Sequence, residues 1–239
     1  MSVPEPMMRE VVSFVRRGER MNPSQQRAWD ALSGFYVLDV PPGRRKTAIA
    51  ADAQLDFAAA FGREAPLLVE VGSGDGATLE ALAAAHPEAN LLGFEVFLPT
   101  VASTLSRLDR AGLKNVRMLV ADAQQAIPIL LGPESVAEVW TFFPDPWHKA
   151  RHHKRRLVNP GFARTVARVL VPGGRWRLAT DWEDYAIWIR EVLDAEPQFA
   201  AEFAQGAPRF AQRPVTRFEQ RAIDAGRTIV DMSYVKVGG

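Results

Sequence analysis

The chain has 239 residues, of which 47% are hydrophobic and 24% charged, and it contains no cysteine. These values are ordinary for one globular domain with an extension, and they exclude wholesale disorder, a collagen-like repeat and a disulfide scaffold. The absence of cysteine also excludes a thiol nucleophile and a thiolate metal site. The longest apolar runs are too short to span a bilayer, and the charged N-terminus lacks the apolar core of a secretory signal. We therefore expect a cytoplasmic protein with no membrane partner.

The net charge is only +1, but the charges are segregated along the chain. Residues 149–156, KARHHKRR, contain five Lys or Arg and no acid. Residues 207–221 contain Arg209, Arg213, Arg217 and Arg221 against a single Glu219. Most other acids follow apolar segments. This distribution predicts a basic face beside an acidic pocket, and a basic face suits the phosphates of a nucleic acid.

Apolar runs of strand length alternate with helix-like segments in the region 61–239, whereas residues 1–60 have the composition of a basic N-terminal extension. The predicted strands are 67–71, 91–96, 116–120, 138–143 and 175–180, and the predicted helices are 77–85, 100–111, 161–170 and 182–193. Turn residues, among them Pro172, Gly173 and Gly174, separate these segments. Residues 228–237 alternate in polarity and predict a late antiparallel strand at or near an edge. The order predicts an α/β fold with a mostly parallel sheet covered by helices on both faces.

A glycine loop follows the first predicted strand, in the sequence EVGSGDG at residues 70–76. Its glycines are Gly72, Gly74 and Gly76, and glycines let the backbone turn tightly and approach a ligand closely. Glu95 ends the second strand about 20 residues beyond the loop, at the spacing of an acid that binds a ribose diol. Asp122 follows the third strand. Because ligands of open α/β sheets bind at the carboxyl ends of the strands, these groups predict a nucleotide site.

The charges of this predicted site favour S-adenosylmethionine over a dinucleotide. Glu70 and Asp75 would repel the pyrophosphate of a nicotinamide or flavin nucleotide, which binds at a helix N-terminus. S-adenosylmethionine has no phosphate and carries a sulfonium and an ammonium, which carboxylates attract. The structural alternative for Glu70 is a strand acid that pairs with a nearby base.

The most unusual stretch is WTFFPDPWHK at residues 140–149. Asp145 lies between Pro144 and Pro146, and both prolines restrict the backbone around it. We expect a stiff loop that presents a carboxylate and an indole, which suits chemistry that depends on positioning. A plain proline-rich turn with Trp147 as a core residue, followed by a solvated basic run, is the alternative. The nearby histidines do not predict a metal, since no cysteine and no suitably spaced carboxylate accompany them.

The sequence resembles the bacterial tRNA (guanine-N7-)-methyltransferases over nearly its whole length. The motifs that carry the resemblance are EVGSGDG at 70–76, GFEV at 93–96, FFPDPWHKARH at 142–152, KRR at 154–156, ATDW at 179–182 and RPVTRFEQR at 213–221, together with SFVRR at 13–17, QQ at 25–26 and FGREAP at 61–66. The resemblance implies a Rossmann-like class I methyltransferase fold. Residues 1–60 would pack on the core or contact tRNA, and residues 61–239 would form the methyltransferase domain.

The resemblance also implies a reaction, the transfer of a methyl group from S-adenosylmethionine to N7 of a guanine at position 46 of the tRNA variable loop. The implied donor contacts are Glu70, Gly72, Gly74, Gly76, Glu95, Asp122 and Asp145, with Asp145 also at the catalytic centre. The implied substrate contacts are Lys149, Asp181, Thr216, Arg217, Phe218 and Glu219, and the implied RNA contacts are Arg151, His152, His153, Lys154, Arg155 and Arg156. Ser73, Asp75 and Arg217 depart from the residues common in the family, and these departures bear on affinity more than on activity.

Guanine N7 has a free lone pair and no proton, so its attack on a sulfonium methyl needs no general base. Asp145 and Asp181 are therefore predicted to hold the guanine, with Trp147, Trp182 and Phe218 as candidate stacking faces. An amino-group methyltransferase acting on adenine or protein, and a non-catalytic RNA-binding protein on a methyltransferase scaffold, are the alternatives. We expect a monomer or homodimer that requires no metal.

Overall fold

The computed structural model describes residues 20–238. In this part of the chain the fold is built on one sheet of seven strands. The strands are β1 (Leu67–Val71), β2 (Asn90–Phe94), β3 (Val116–Leu119), β4 (Val136–Phe142), β5 (Leu170–Thr180), β6 (Phe199–Ala201) and β7 (Val230–Lys236). The α-helices are α1 (Pro23–Tyr36), α2 (Phe57–Phe61), α3 (Ala77–Ala85), α4 (Leu98–Arg110), α5 (Ala123–Leu130), α6 (Pro160–Val169), α7 (Glu183–Asp194) and α8 (Arg217–Asp224), and η1 (Ala150–Arg155) is a 3₁₀ helix.

The strand order is β3-β2-β1-β4-β5-β7-β6. Strands β1 to β5 are parallel, and β7 runs antiparallel between β5 and the edge strand β6. The chain order reverses between β1 and β4, which leaves a crevice at the carboxyl ends of these two strands. The predicted α/β fold with a mostly parallel sheet and an antiparallel late strand is confirmed.

Two apolar clusters cover the two faces of the sheet. Leu68 points into the cluster that contains α3 and α4, and Val69 points into the opposite cluster with α5, α6 and α7. Successive strand residues alternate between faces, so a strand buried on both sides reads as a continuous apolar run. The buried Trp176 donates from Nε1 to Thr141 Oγ1 at 3.1 Å, which satisfies the one polar atom of its ring.

The prediction that residues 172–174 separate a helix from a strand is wrong. Strand β5 begins at Leu170 and continues through this segment, and its pairing with β4 shifts register between Val136 and Glu138. A Cβ on Gly174 would lie 2.8 Å from the carbonyl oxygen of Val171, so the backbone here is packed too closely for a side chain. A proline and two glycines thus mark an irregular strand and not its end.

Residues 20–60, the described part of the expected extension, pack on the sheet and its helices. The hydroxyl of the buried Tyr36 donates to Leu113 O at 3.0 Å, and the side chain of Gln25 donates to Pro99 O at 2.9 Å. Ile49 and the Gln125 side chain exchange two hydrogen bonds of 3.0 Å. The motif at 13–17 lies outside the described residues, and RNA contact by the extension stays a prediction. No helix among residues 20–238 has the length and apolar character needed to cross a membrane.

Candidate active site

A cavity of about 920 Å³ opens at the carboxyl edge of the sheet, where β1 and β4 lie side by side. Its volume is in the upper range of small-molecule sites. Its walls are the loops that follow β1, β2, β3 and β4, together with the start of α8. The predicted site residues that line it are Glu70, Gly72, Gly74, Glu95, Asp122, Asp145, Lys149, Arg151, His152, Arg155, Thr216 and Phe218. The remaining predicted site residues, which are not in its walls, are Gly76, His153, Lys154, Arg156, Asp181, Arg217 and Glu219.

Two glycines of the loop after β1, Gly72 and Gly76, have different roles. Gly72 and Gly76 have φ values of 81° and 76°, a region that residues with side chains rarely adopt. A Cβ on Gly76 would lie 2.4 Å from Thr104 Cγ2, so this glycine lets the start of α3 pack against α4. A Cβ on Gly72 would meet nothing within 4 Å. Gly72 lines the cavity, so its missing side chain leaves room for a ligand against the backbone.

Glu70, the next-to-last residue of β1, is a buried carboxyl group whose Oε2 has no hydrogen-bond partner among the described residues, and the buried hydroxyl oxygen of Ser73 also has none. Burial raises the pKa of Glu70 to about 8; the nearby hydroxyl of Ser73 opposes this shift, and the negative charges of Glu95 and Asp75 add to it. No basic group of the described chain is among the charges that act on it. A buried polar atom without a partner is costly, and a cationic ligand would supply both a hydrogen bond and a compensating charge.

Backbone amides fix the carboxylate of Glu95 in the cavity wall. Gly74 N donates to its Oε2 at 3.0 Å, and Val96 N and Phe97 N donate to its Oε1 at 2.7 and 3.0 Å. Burial raises the pKa of Glu95 despite these bonds. Oε2 accepts only one of these bonds and keeps lone-pair capacity for a hydroxyl donor, so this oriented carboxylate can accept a hydrogen bond from a ribose diol.

Asp122 lies beyond β3 at the start of α5, and its side chain accepts a hydrogen bond from Gln124 N at 3.0 Å. Its own N–H donates to Thr47 O at 2.7 Å, which anchors the N-terminal segment beside the cavity. The acids that line the cavity therefore belong to four successive strand ends. Such a wall favours a cationic ligand and repels a pyrophosphate.

The loop around Asp145 is held in an unusual backbone conformation. Phe143 and Trp147, on either side of it, have positive φ values of 52° and 47°. Such values are costly for residues with side chains and persist only where the surroundings impose them. The carboxylate of Asp145 opens into the cavity, and its limited solvation raises its pKa, while His148 opposes this shift. The ring of His148 lies 3.9 Å from that of Trp182, centroid to centroid.

Two arginines counted in the predicted basic face are buried. Arg213 pairs with Glu219 at 3.1 Å and with Asp231 at 2.5 Å, and its guanidinium lies 5.0 Å from the centre of the Phe142 ring. Glu219, predicted to contact substrate, is itself buried against this arginine. Arg156, predicted to contact RNA, has a side chain that is only 1% exposed. All three side chains are buried in this structure, and the predicted contacts of Glu219 with substrate and of Arg156 with RNA stay predictions.

Four residues of the basic run line the cavity, namely Lys149, Arg151, His152 and Arg155. Lys149, Arg151 and Lys154 are exposed, and the guanidinium of Arg155 lies 5.0 Å from the centre of the Trp147 ring. Asp181 accepts a hydrogen bond of 2.7 Å from Arg227 and does not line the cavity. Sequence reasoning missed Ser73 as a polar group of the site, because it treated this residue only as a departure from a common apolar position. Among residues 20–238, no group of His, Asp or Glu side chains is placed to hold a metal ion.

This sheet order, with an acid-lined cavity at the reversal point, defines a class I methyltransferase fold. The 16S rRNA methyltransferase KamB has this fold, with a TM-score of 0.58 at 16% identity over 80% of this chain and 99% of that one. A 16S rRNA (adenine(1408)-N(1))-methyltransferase from Catenulisporales acidiphilia has a TM-score of 0.53 at 18% identity, over 77% of this chain and 92% of that one.

A family model described as "Putative methyltransferase" matches residues 64–232. The tRNA (guanine-N(7)-)-methyltransferase of Cutibacterium acnes is 54% identical, over 96% of this chain and 84% of the relative. The enzyme of the same name from a Nocardioides strain is 50% identical, over 97% of this chain and 89% of the relative. The chain belongs to the tRNA (guanine-N(7)-)-methyltransferase family.

Proposed function

We propose that this chain transfers a methyl group from S-adenosylmethionine to N7 of the guanine at position 46 of tRNA, which gives 7-methylguanosine. The observation that carries the donor assignment is the buried, unpartnered Oε2 of Glu70 beside the open backbone of Gly72. Relatives at 50–54% identity, with names that specify tRNA and guanine N7, support the substrate assignment.

The residues present fit the donor. Glu70 would hold its ammonium, the oriented carboxylate of Glu95 would accept from its ribose hydroxyls, and Asp122 would add a further contact. When bound, S-adenosylmethionine supplies an electrophilic methyl group on a sulfonium. The glycine loop excludes side chains from the place where the donor must approach the backbone.

The remaining groups act on the guanine. Asp145 can accept hydrogen bonds from the guanine N1–H and N2–H₂ groups, and adenine cannot match this donor pattern. Phe218, 65% exposed at the mouth, and Trp147 offer faces on which a base drawn out of its stack can rest. Because N7 has no proton to lose, alignment is the main task, and alignment can supply about 7–11 kcal/mol. Asp181 is bonded to Arg227, so we assign the guanine contact to Asp145.

The direct test is incubation with labelled donor and bulk tRNA that lacks the modification, followed by identification of the methylated nucleoside. The proposal expects 7-methylguanosine. A methyl group on an exocyclic amine would identify an amino-group methyltransferase. Absence of transfer despite tight RNA binding would identify a non-catalytic RNA-binding protein.

The Glu95→Gln variant should bind the donor about tenfold more weakly. A neutral amide oxygen replaces the carboxylate, and a hydrogen bond to the carboxylate is about 1.5 kcal/mol stronger than one to the amide. Calorimetric titration of the donor measures this change, and the dissociation constant for tRNA should stay constant. Glu80→Gln is the matched control, since Glu80 pairs with Arg107 beside the same loop but outside the cavity wall. Equal donor affinity in the Glu95 variant and the wild type would remove Glu95 from the ribose site.

Replacement of Arg151 and Lys154 by alanine should weaken tRNA binding and reduce its salt dependence. Each lost phosphate contact lowers the slope of log affinity against log salt by about 0.7–0.9, so the pair should lower it by about 1.5. Arg110 and Lys114, cations beyond β2 at the opposite edge of the sheet, provide the control pair. A slope equal to that of the control pair would mean that the basic run is only solvated.

A further inference from the structure

We propose that Arg156 is a positioning residue that holds the Asp145 loop, defined here as residues 143–147, and that it does not contact RNA. It ends the basic run, where its neighbours are exposed or half-exposed, but its own side chain is only 1% exposed. A phosphate cannot reach a guanidinium buried in this way. This proposal rests on the proposed function where it is tested by the rate of methyl transfer. Its second test measures hydrogen exchange in the loop and does not depend on that activity.

The guanidinium of Arg156 joins three elements. Its Nε donates to Pro146 O at 3.0 Å, in the Asp145 loop. Its Nη2 donates to the carboxylate of Asp184 in the first turn of α7 and lies 3.1 Å from His153 Nε2 in η1. Its plane lies over the ring of Tyr185, with 4.9 Å from the guanidinium carbon to the ring centre. A planar fork with several donors can make all of these contacts at once, whereas a lysine ammonium cannot.

The Asp145 loop needs such support, because Phe143 and Trp147 have the positive φ values described above. Pro146, whose carbonyl Arg156 binds, directly precedes Trp147, so the contact lies at the second strained residue. On the other side, the guanidinium of Arg213 lies 5.4 Å from the centre of the Phe143 ring. Asp145 lies between the two supported positions. Without Arg156, Trp147 can relax toward an ordinary φ, and the carboxylate then moves from its place in the cavity.

The contacts that Arg156 makes, called the brace below, can be deleted without leaving a buried charge unpaired, because the carboxylate that remains is exposed. Asp184 is 60% exposed, so water can solvate it when its partner is removed. Arg156→Ala therefore deletes the brace, and Asp184→Asn weakens it while the arginine stays in place. Lys154→Ala, in the 3₁₀ helix that Arg156 directly follows, shows what the loss of an exposed cation does, and Glu183→Gln is the control for the acid.

Five quantities are compared across these variants. The first is the single-turnover rate at saturating donor and tRNA, and the next two are the dissociation constants for the donor and for tRNA. The fourth is the slope of log tRNA affinity against log salt, and the fifth is the amide hydrogen exchange of residues 143–149 in the protein alone. We expect Arg156→Ala to lower the rate about 100-fold, the effect of a small misplacement of a reacting group. Asp184→Asn should change the rate in the same direction by a smaller factor, and Glu183→Gln should leave it unchanged. Both brace variants should keep the wild-type salt slope and exchange faster at residues 143–149 only.

If Arg156→Ala reduces the salt slope as Lys154→Ala does and keeps the wild-type rate at saturation, Arg156 contacts RNA and the proposal is overturned. Faster exchange throughout the sheet in both brace variants would also overturn it, because Arg156 would then support the fold in general. If Arg156→Ala fails to fold, Asp184→Asn decides, and a wild-type rate and exchange in that variant overturn the proposal. If the wild type transfers no methyl group, the proposed function fails, and the exchange measurement still tests the brace.

Discussion

Asp145→Asn should lower turnover by about two to three orders of magnitude, the range measured when one preorganised polar group of an active site is lost. The substitution keeps the shape of the side chain but turns one accepting oxygen into a donating NH₂. That NH₂ would face the guanine N–H donors, so an attraction becomes a repulsion. The fold should persist, because the carboxylate opens into the cavity and supports no buried contact. The single-turnover rate with saturating donor and tRNA measures the effect, and thermal melting checks the fold.

Asp224→Asn is the matched control, since it makes the same change to an exposed carboxylate on α8. The pH dependence of the wild-type rate gives a second check on the role of Asp145. With donor and tRNA saturating, the rate should not rise steeply near neutral pH, because N7 requires no deprotonation. A steep rise would indicate a general base and a substrate atom other than N7. Near wild-type turnover of Asp145→Asn would exclude Asp145 from the mechanism.

The sequence predicted most of the sheet because each parallel strand is a short apolar run that ends at a polar residue. Glu70, Glu95 and Asp122 follow such runs, so their position at one edge of the sheet could be derived from chain order alone. Helices α1, α2, α5 and α8 and strand β6 were not predicted. Strand β6 has only three residues, and α8 is largely polar, so neither has enough apolar periodicity to be recognised.

Burial within the basic segments could not be predicted from the sequence. Lys154 and Arg156 belong to one run of cations, yet the first is exposed and the second is enclosed by Asp184 and Tyr185 of α7. The partners of Arg156 on α7 lie almost 30 residues away in the chain. Tertiary packing decides which arginine becomes a structural link, and local composition contains no signal for it.

Glu70→Gln should change how the stability of the free protein depends on pH. The pKa of Glu70 is about 8 in the folded protein, against an ordinary value of 4.5. The folded state therefore binds this proton more tightly than the unfolded state, and the resulting stability is lost as pH rises from about 4.5 through about 8. Glutamine stays neutral, so the variant should gain in melting temperature over the wild type, with a gain that grows from pH 5 to pH 9. A constant difference would mean that Glu70 does not titrate in this range.

The same substitution should remove the pH dependence of donor binding that arises from Glu70. Binding of an ammonium beside Glu70 requires the carboxylate, and the ionised fraction rises from about 1% at pH 6 to about a quarter at pH 7.5 when the pKa is about 8. The donor's own α-amino group stays mostly cationic up to about pH 7.5. Wild-type affinity should therefore increase about 15- to 20-fold over this interval.

In Glu70→Gln the affinity should be weaker at pH 7.5 and nearly independent of pH, whereas Glu80→Gln, outside the cavity wall, should retain the wild-type increase. Calorimetry in two buffers of different ionisation enthalpy gives a second measurement, the number of protons released on binding. That number should be close to one for the wild type at pH 6.5 and close to zero for the variant. Equal proton release by the two proteins would show that the donor's ammonium is held by a group other than Glu70, and would leave the buried carboxyl group without a ligand to explain it.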